Sequence, residues 1–535
     1  MLASRIMDCQ AAILMGLMVL MLGWVSDMQS CEAFGTFGFD IHHRYSDSVR
    51  GFLDLNDDLP EKGSVDYFAT MARRDHLIRG RHLADTTAPI IFADGNDTLR
   101  INSLGFLYYA NVSVGTPDLW FLVALDTGSD LFWLPCDCRS CVRGLITSSG
   151  RQIDLNMYSP NTSSTSMVVP CNNTICNARR ARACSVGRNA CEYQIQYLSN
   201  GTSSTGVLVE DVLHMAADDG PGKVVEAPIT FGCGIIQTGG FLDGAAPNGL
   251  LGLGLDKISV PTTLATKGLA ANSFSMCFGQ DGIGRIVFGD QGSSDQGETP
   301  INLYEPHPTY NVSITQITVA ENITNVDFDA IFDSGTSFTY VNDPAYTIIT
   351  QNFNSRVQLP RYQSDSQLPF EYCYTQSPTE TGSPLLNLTM KGGDKILVTN
   401  PIERLALKGG GSIYCLAIIK SGDVNIIGQN FMSGYRIVFN RERMVLGWKP
   451  SDCNDAVQLN PASSPFPINQ QNSSGAPSPS AVVPEATSGR TSGSGGSSSV
   501  PPQSREGSFA PDSSSFARKL LIFLLSLGSY YLFIL

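Results

Sequence analysis

Charge is scarce in this 535-residue chain: Asp, Glu, Lys and Arg together make up 16% of it. So low a share excludes a coiled coil or a charge-rich disordered chain. Basic residues are the minority, 35 against 49 acidic ones, and no Lys/Arg-rich run occurs. A net charge of −14 without a basic stripe excludes nucleic acid as a partner, because a phosphate backbone needs a positive face. Long apolar runs are missing from the interior of the sequence. Histidine is rare as well, with six in all, of which only His214 and His307 lie beyond residue 83. No Gly-X-Ser-X-Gly elbow accompanies them, which sets a serine hydrolase aside. The glycine-rich Gly249–Gly254 stretch lacks the Gly-Lys-Ser/Thr ending that a phosphate-binding loop requires.

What the chain does have is turns and apolar residues: 51 Gly, 29 Pro and 42% hydrophobic residues. From about Ile101 to Pro450, short β-branched or alternating runs are punctuated by Gly, Pro, Asn and Ser. Leu107–Val114, Phe121–Leu125, Ile229–Cys233, Ile286–Phe288, Tyr310–Val319 and Arg436–Phe439 are examples. These are strand signals at short spacing, and they predict an all-β core.

The two ends point to a compartment. Arg5, the apolar stretch Ala11–Val25 and the small residues of Cys31-Glu32-Ala33 read as a secretory signal over residues 1–33. Removing it takes away Cys9 and Cys31 and leaves twelve cysteines, all between Cys136 and Cys453. An even number in a secreted chain implies disulfides. Nine Asn-X-Ser/Thr sequons imply glycosylation: Asn96, Asn111, Asn161, Asn172, Asn200, Asn311, Asn322, Asn387 and Asn472. At the other end, the apolar stretch Leu520–Leu535 follows a Ser/Gly/Pro-rich segment. It is short for a membrane span, and Arg518 and Lys519 would lie on its outer side. That pattern fits a glycosylphosphatidylinositol (GPI) attachment signal, with Gly507, Ser508 or Ser513 as attachment residue. A short tail helix is the alternative. The localisation expected is the secretory pathway and then the extracellular face of the plasma membrane.

Residues 34–83 form a segment apart. They carry His42, His43, His76 and His82, and Arg73–His82 packs four Arg against one Asp. In a secreted protein this reads as a pro-segment whose basic end covers an acidic cleft, or as an ordinary basic surface helix. The expected organisation is a signal (1–33), a pro-segment (34–83), a first β-lobe (100–300) and a second β-lobe (301–453). A stalk (454–515) and an anchor signal (516–535) follow.

One short motif occurs twice. Phe121-Leu-Val-Ala-Leu125 runs into Asp126-Thr127-Gly128-Ser129, and Ala330-Ile331-Phe332 runs into Asp333-Ser334-Gly335-Thr336. Paired aliphatics and glycine follow downstream of each, as Leu250-Leu251-Gly252 and Ile426-Ile427-Gly428. A single Asp-Thr-Gly is a turn signal, since Asp initiates turns and Gly accepts positive φ. Two matched copies with matched partners indicate two loops serving one site. On these residues the chain resembles the pepsin-like aspartic peptidases from Leu107 to Lys449, and its cysteines resemble those of the plant nepenthesin-type branch.

That resemblance implies a bilobal all-β fold with pseudo-two-fold symmetry and a few short helices. Asp126 and Asp333 would be the catalytic pair, sharing one proton and activating a water against a peptide bond. No cofactor, metal or nucleic acid is implied; the substrates would be proteins or peptides and the chain a monomer. Thr127 and Ser334 would hydrogen-bond across the lobes, and Ser129 and Thr336 would donate to the outer carboxylate oxygens. Gly128 and Gly335 would admit backbone amides. Tyr197 matches the flap tyrosine and Trp133 its aromatic support, with Tyr193 as competitor. The branch implies the bridges Cys171–Cys191, Cys176–Cys184, Cys141–Cys233, Cys277–Cys453 and Cys373–Cys415, with the pairing of Cys136 and Cys138 open. A zinc site at these cysteines lacks a second ligand pair. A binding or inhibitor protein on the same fold is the rival reading.

Overall fold

The computed structural model describes residues between 36 and 453. Residues 45, 48, 50–59, 80–107, 147–151, 177–183, 185–188, 198–201, 218–223, 243–245, 280–281, 305–307, 364–367, 379–383, 400, 408 and 423 are outside the described set. The signal, stalk and anchor, with Gly507, Ser508 and Ser513, therefore lie outside the described residues, as do Asn96, Asn200 and Asn472. Among the described residues there are twenty-six strands and four α-helices.

The expected all-β architecture is present. Elements used below are β1 (Phe37–His43), α1 (Val65–Arg79), β2 (Tyr108–Val114), β3 (Leu119–Asp126), β4 (Trp133–Ser140) and β5 (Glu192–Gln196). Next come β6 (Ser203–Ala217), β7 (Val224–Thr238), β8 (Leu250–Gly252), β9 (Ser273–Phe278) and β10 (Ile283–Phe288). The second half has β11 (Asn311–Val319), β12 (Asn322–Phe332), β13 (Thr339–Val341), β14 (Ile402–Ala406), β15 (Ile426–Ile427), β16 (Tyr435–Asn440) and β17 (Val445–Pro450).

A fourteen-stranded sheet contains the consecutive order β17-β16-β9-β10-β1-β2-β3-β8-β4-β7-β6, with β5 pairing β6. A seven-stranded sheet contains β11-β12-β15-β13. From Phe121 to Asp126 every residue of β3 is buried, which is why this strand reads as an unbroken apolar run rather than an alternating one. The alternation of β11, by contrast, buries Val312, Ile314, Ile317 and Val319 and leaves the residues between them more open.

Two sequence-level divisions are crossed by the sheets. Strands β16 and β17 come from the second half yet join the first-half sheet through β9. Strand β1, from the segment set apart by sequence, is paired with β10 on one side and β2 on the other.

All twelve cysteines from Cys136 onward are bridged, and three expected pairings are corrected. Cys136, not Cys141, pairs with Cys233 at a Cα–Cα distance of 4.9 Å. The parallel register sets Cys233 beside Leu134, and Cys136, two residues on along β4, is fully buried. The pairing of β4 with β7 is then interrupted between Pro135 and Ser140, and within that bulge Cys138 pairs locally with Cys141. The nested pair Cys171–Cys191 and Cys176–Cys184 is replaced by an interleaved one, Cys171–Cys184 and Cys176–Cys191. Cys191 opens the path into β5 with its side chain buried, and Ile175 and Cys176 pack against the same apolar cluster, so Cys176 is the one that meets it. Cys277–Cys453 and Cys373–Cys415 are present as expected; the latter pair are direct partners across two antiparallel strands.

Candidate active site

Each half builds its Asp-Ser/Thr-Gly loop the same way. In the first, β8 runs parallel to β3 with Leu250 opposite Ala124 and Gly252 opposite Asp126. In the second, β15 runs parallel to β12 with Ile426 opposite Ile331 and Ile427 opposite Phe332. The strand carrying the aspartate ends there, and the aliphatic pair clamps its last residues from beside. The glycine that follows each aliphatic pair is required by close approach. A Cβ on Gly252 would stand 2.4 Å from the Asp130 carbonyl carbon, and one on Gly428 would stand 2.1 Å from the Phe338 carbonyl oxygen.

The hydrogen bonds of the two loops mirror one another. Asp126 Oδ1 accepts from Gly128 N–H at 2.9 Å, and its Oδ2 accepts from Ser129 Oγ at 2.6 Å. Asp333 Oδ1 accepts from Gly335 N–H at 2.8 Å, and its Oδ2 accepts from Thr336 Oγ1 at 2.7 Å. Both Oδ1 atoms face Gly128: a Cβ there would lie 3.2 Å from that of Asp126 and 3.7 Å from that of Asp333. Two aspartates 207 positions apart in sequence therefore converge, with outer oxygens held by hydroxyls and inner oxygens turned toward a shared space.

The two aspartate loops are joined to each other by the Thr127 hydroxyl. Thr127 Oγ1 accepts the buried N–H of Ser334 at 3.0 Å and donates to the Phe332 carbonyl at 3.4 Å. The reciprocal arm is absent, because Ser334 Oγ is buried without a hydrogen-bond partner. The expected reciprocal bonding of Thr127 and Ser334 is thus one-sided.

Trp133 Nε1 donates to Tyr197 OH at 3.0 Å, and the rings of both residues pack edge-on against Phe241. Burial, then the charge of Asp126, pushes the Tyr197 phenol up, so it stays neutral and able to donate. Tyr193 is placed differently: it is fully buried, packs over Gly232 and bonds Ser204 at 2.9 Å. Sequence reasoning missed Phe241, for which the run Gly239-Gly240-Phe241 gives no chemical signal.

Of the described sequons, Asn161 and Asn172 are exposed. Asn311, Asn322 and Asn387 are half-buried, and Asn111 lies within β2 with its Oδ1 buried. Among the described residues, no group of three or more His, Cys, Asp and Glu is arranged to hold a metal ion.

Comparison with known proteins decides the family. Residues 108–290 match the family described as xylanase inhibitor N-terminal, and residues 309–450 match xylanase inhibitor C-terminal. Aspartyl protease family protein 1 of Arabidopsis thaliana is 56% identical over 90% of this chain and 93% of its own length. The chain belongs to the pepsin-like aspartic endopeptidase family. Aspartic proteinase nepenthesin-1 of Nepenthes gracilis is 26% identical over 79% of this chain and 86% of its own. The crystal structure of conglutin gamma, a basic 7S globulin from lupine seeds, has a TM-score of 0.52 at 19% identity, covering 65% of this chain and 93% of that one. At that identity the likeness concerns the fold.

Proposed function

We propose that the protein is a secreted aspartic endopeptidase that hydrolyses internal peptide bonds of proteins through Asp126 and Asp333. The observation that carries this reading is the convergence of both Oδ1 atoms on Gly128, each carboxylate being fixed by the same pair of donors. One carboxylate takes a proton from a water placed between the inner oxygens, and that water attacks the peptide carbonyl. The other carboxyl gives its proton to the developing oxyanion, and the tetrahedral intermediate collapses as the leaving nitrogen is protonated. Ser129 and Thr336 keep the outer oxygens occupied, so proton traffic stays on the inner pair. Tyr197, anchored by Trp133, closes over the dyad as the flap residue.

The rest of the organisation belongs to the same proposal. The 1–33 signal sends the chain into the secretory pathway, where the bridges form and sequons are glycosylated. Residues 34–83 act as a pro-segment. The GPI signal tethers a monomer to the outer face of the plasma membrane, at Ser508, Gly507 or Ser513. Release from cell surfaces by a phosphatidylinositol-specific phospholipase supports the lipid tether, and resistance to it supports a spanning tail.

The second reading, an inhibitor or binding protein, is favoured by one observation: the description of the matched family. Cleavage of a denatured protein from acid to neutral pH, with and without pepstatin, separates the two. Acid-favoured, pepstatin-blocked cleavage supports the peptidase. Inactivity of a chain freed of residues 34–83 supports the binding protein.

A further inference from the structure

The ends of the two aspartate-bearing strands belong to one closed ring of hydrogen bonds. Leu253, just past β8, donates its N–H to the Asp126 carbonyl at 2.9 Å. Its own carbonyl accepts from the Tyr310 hydroxyl at 2.6 Å. Tyr310, just ahead of β11, accepts the Phe332 N–H at its carbonyl at 2.9 Å. Phe332 precedes Asp333, and its carbonyl takes the Thr127 hydroxyl at 3.4 Å, which returns the ring to the residue after Asp126.

Side chains make only two links of this ring, through Thr127 and Tyr310; the remainder is backbone that any sequence supplies. Thr127 belongs to the Asp-Thr-Gly motif, whereas Tyr310 lies outside both motifs. Tyr310, Leu253 and Phe332 are fully buried, so water does not compete for their bonds. The Tyr310 ring packs edge-on against Phe439 and Phe274, with centroids 4.6 and 6.1 Å away. A phenylalanine would fill that space as well, so packing does not account for the hydroxyl. Its partner is the carbonyl of the very residue that holds the Asp126 backbone. Burial pushes the phenol up, with Arg441 opposing and Asp130 adding, so the hydroxyl keeps its proton and stays a donor.

We propose that Tyr310 is a positioning residue for peptide hydrolysis: by closing the ring, its hydroxyl fixes the Asp126 strand against the Asp333 strand at the spacing that the shared proton and the attacking water require. This rests on the peptidase reading and names a further residue that acts on that same site. Tyr310 bonds neither carboxylate; it acts through Leu253 on one side and Phe332 on the other. A displacement of about 1 Å at the reacting groups costs about a hundred-fold in rate. Opening the ring at Tyr310 while Thr127 still bridges the loops should therefore cost at least about ten-fold in kcat.

The test compares the secreted, acid-activated full chain as wild type and as Tyr310→Phe, which keeps the aromatic ring and removes the hydroxyl alone. Values of kcat and KM for one fluorogenic peptide are measured in acid, well below the melting transition of both chains. The positioning role predicts a kcat lower by at least about ten-fold with KM changed by less than about two-fold, because the hydroxyl lies behind the loops and serves the chemical step rather than binding. A residue that merely supports the core lowers the melting temperature and leaves both constants unchanged in the folded chain. That result would overturn the proposal, as would a raised KM at unchanged kcat. Thr127→Ala and the double variant add a second check. Links of one ring act as a unit, so the double variant should be little slower than Thr127→Ala, and multiplied losses would count against the ring. If Tyr310→Phe does not fold, hydrogen exchange of the wild type decides: the Leu253 and Phe332 amides should open only with global unfolding, and faster local opening at either would overturn the ring. A wild type without hydrolysis refutes the peptidase reading and leaves the ring no reaction to serve, whereas an active wild type matched by Tyr310→Phe refutes the positioning role alone.

Discussion

Thr127→Ala deletes the oxygen through which the two aspartate loops are joined, and the effect can be worked from its two bonds. The variant leaves the Ser334 N–H, 3.0 Å from Thr127 Oγ1 and buried, without that acceptor, and it removes the donor to the Phe332 carbonyl. An orphaned buried amide costs about 1–3 kcal/mol, and the weaker second bond adds about 0.5 kcal/mol. A total near 2 kcal/mol is expected. Ser334→Ala removes a hydroxyl that is buried and bonded to nothing, so it should change stability by less than about 0.5 kcal/mol or raise it. Thr127→Ser keeps the oxygen and should behave almost as wild type. Urea titrations of the three variants read these differences as midpoint shifts at constant slope. Activity should follow, because a loop displaced by about 1 Å costs about a hundred-fold in rate. Equal damage from Thr127→Ala and Ser334→Ala would refute the one-sided joint.

Two further outcomes follow from burial and close approach. Desolvation, partly offset by Lys62, pushes the Glu403 carboxyl up from its ordinary value of 4.5 to about 7. Below the ordinary value both folded and unfolded chains hold this proton; between the two values the unfolded chain ionises first, so stability falls as pH rises and the loss is complete above about 7. Glu403→Gln should therefore leave stability unchanged in acid and raise it at neutral pH by about 2 kcal/mol, and parallel stability–pH curves would contradict this. Gly428→Ala sets a Cβ 2.1 Å from a backbone oxygen and should cost about 3 kcal/mol, whereas Gly409→Ala, with no atom within 4 Å, should cost little in the same melting assay.

How much of this was written in the sequence depends on how local each feature is. The loops around Asp126 and Asp333 were legible because each needs an apolar strand, an acid, a glycine and a hydroxyl in immediate succession. Strand β3 was legible because a strand buried on both faces must be apolar throughout. Pairings were less so. Whether Cys136 or Cys141 meets Cys233 is decided by the register of β4 against β7 and by the interruption of that register after Pro135, neither of which spacing reveals. Asp75 on α1 is buried with its oxygens on the Ser337 N–H, 262 residues away in sequence, and no local pattern marks a carboxylate whose donors are so distant. The missing arm of the Ser334 joint was hidden for a related reason. Thr127 and Ser334 occupy equivalent places in their motifs, and only the packing between the halves makes them differ.

The central claim is that Asp126 and Asp333 act as one unit. Asp126→Asn, Asp333→Asn and the double variant, each stripped of residues 34–83 and checked for an unchanged melting curve, measure it most directly through kcat on a single peptide. Groups that act as a unit are strongly non-additive. Each single variant should lose at least about a thousand-fold, and the double variant should be no slower than either. Appreciable activity in one single variant, or a double variant slower by the product of the two losses, would contradict the account.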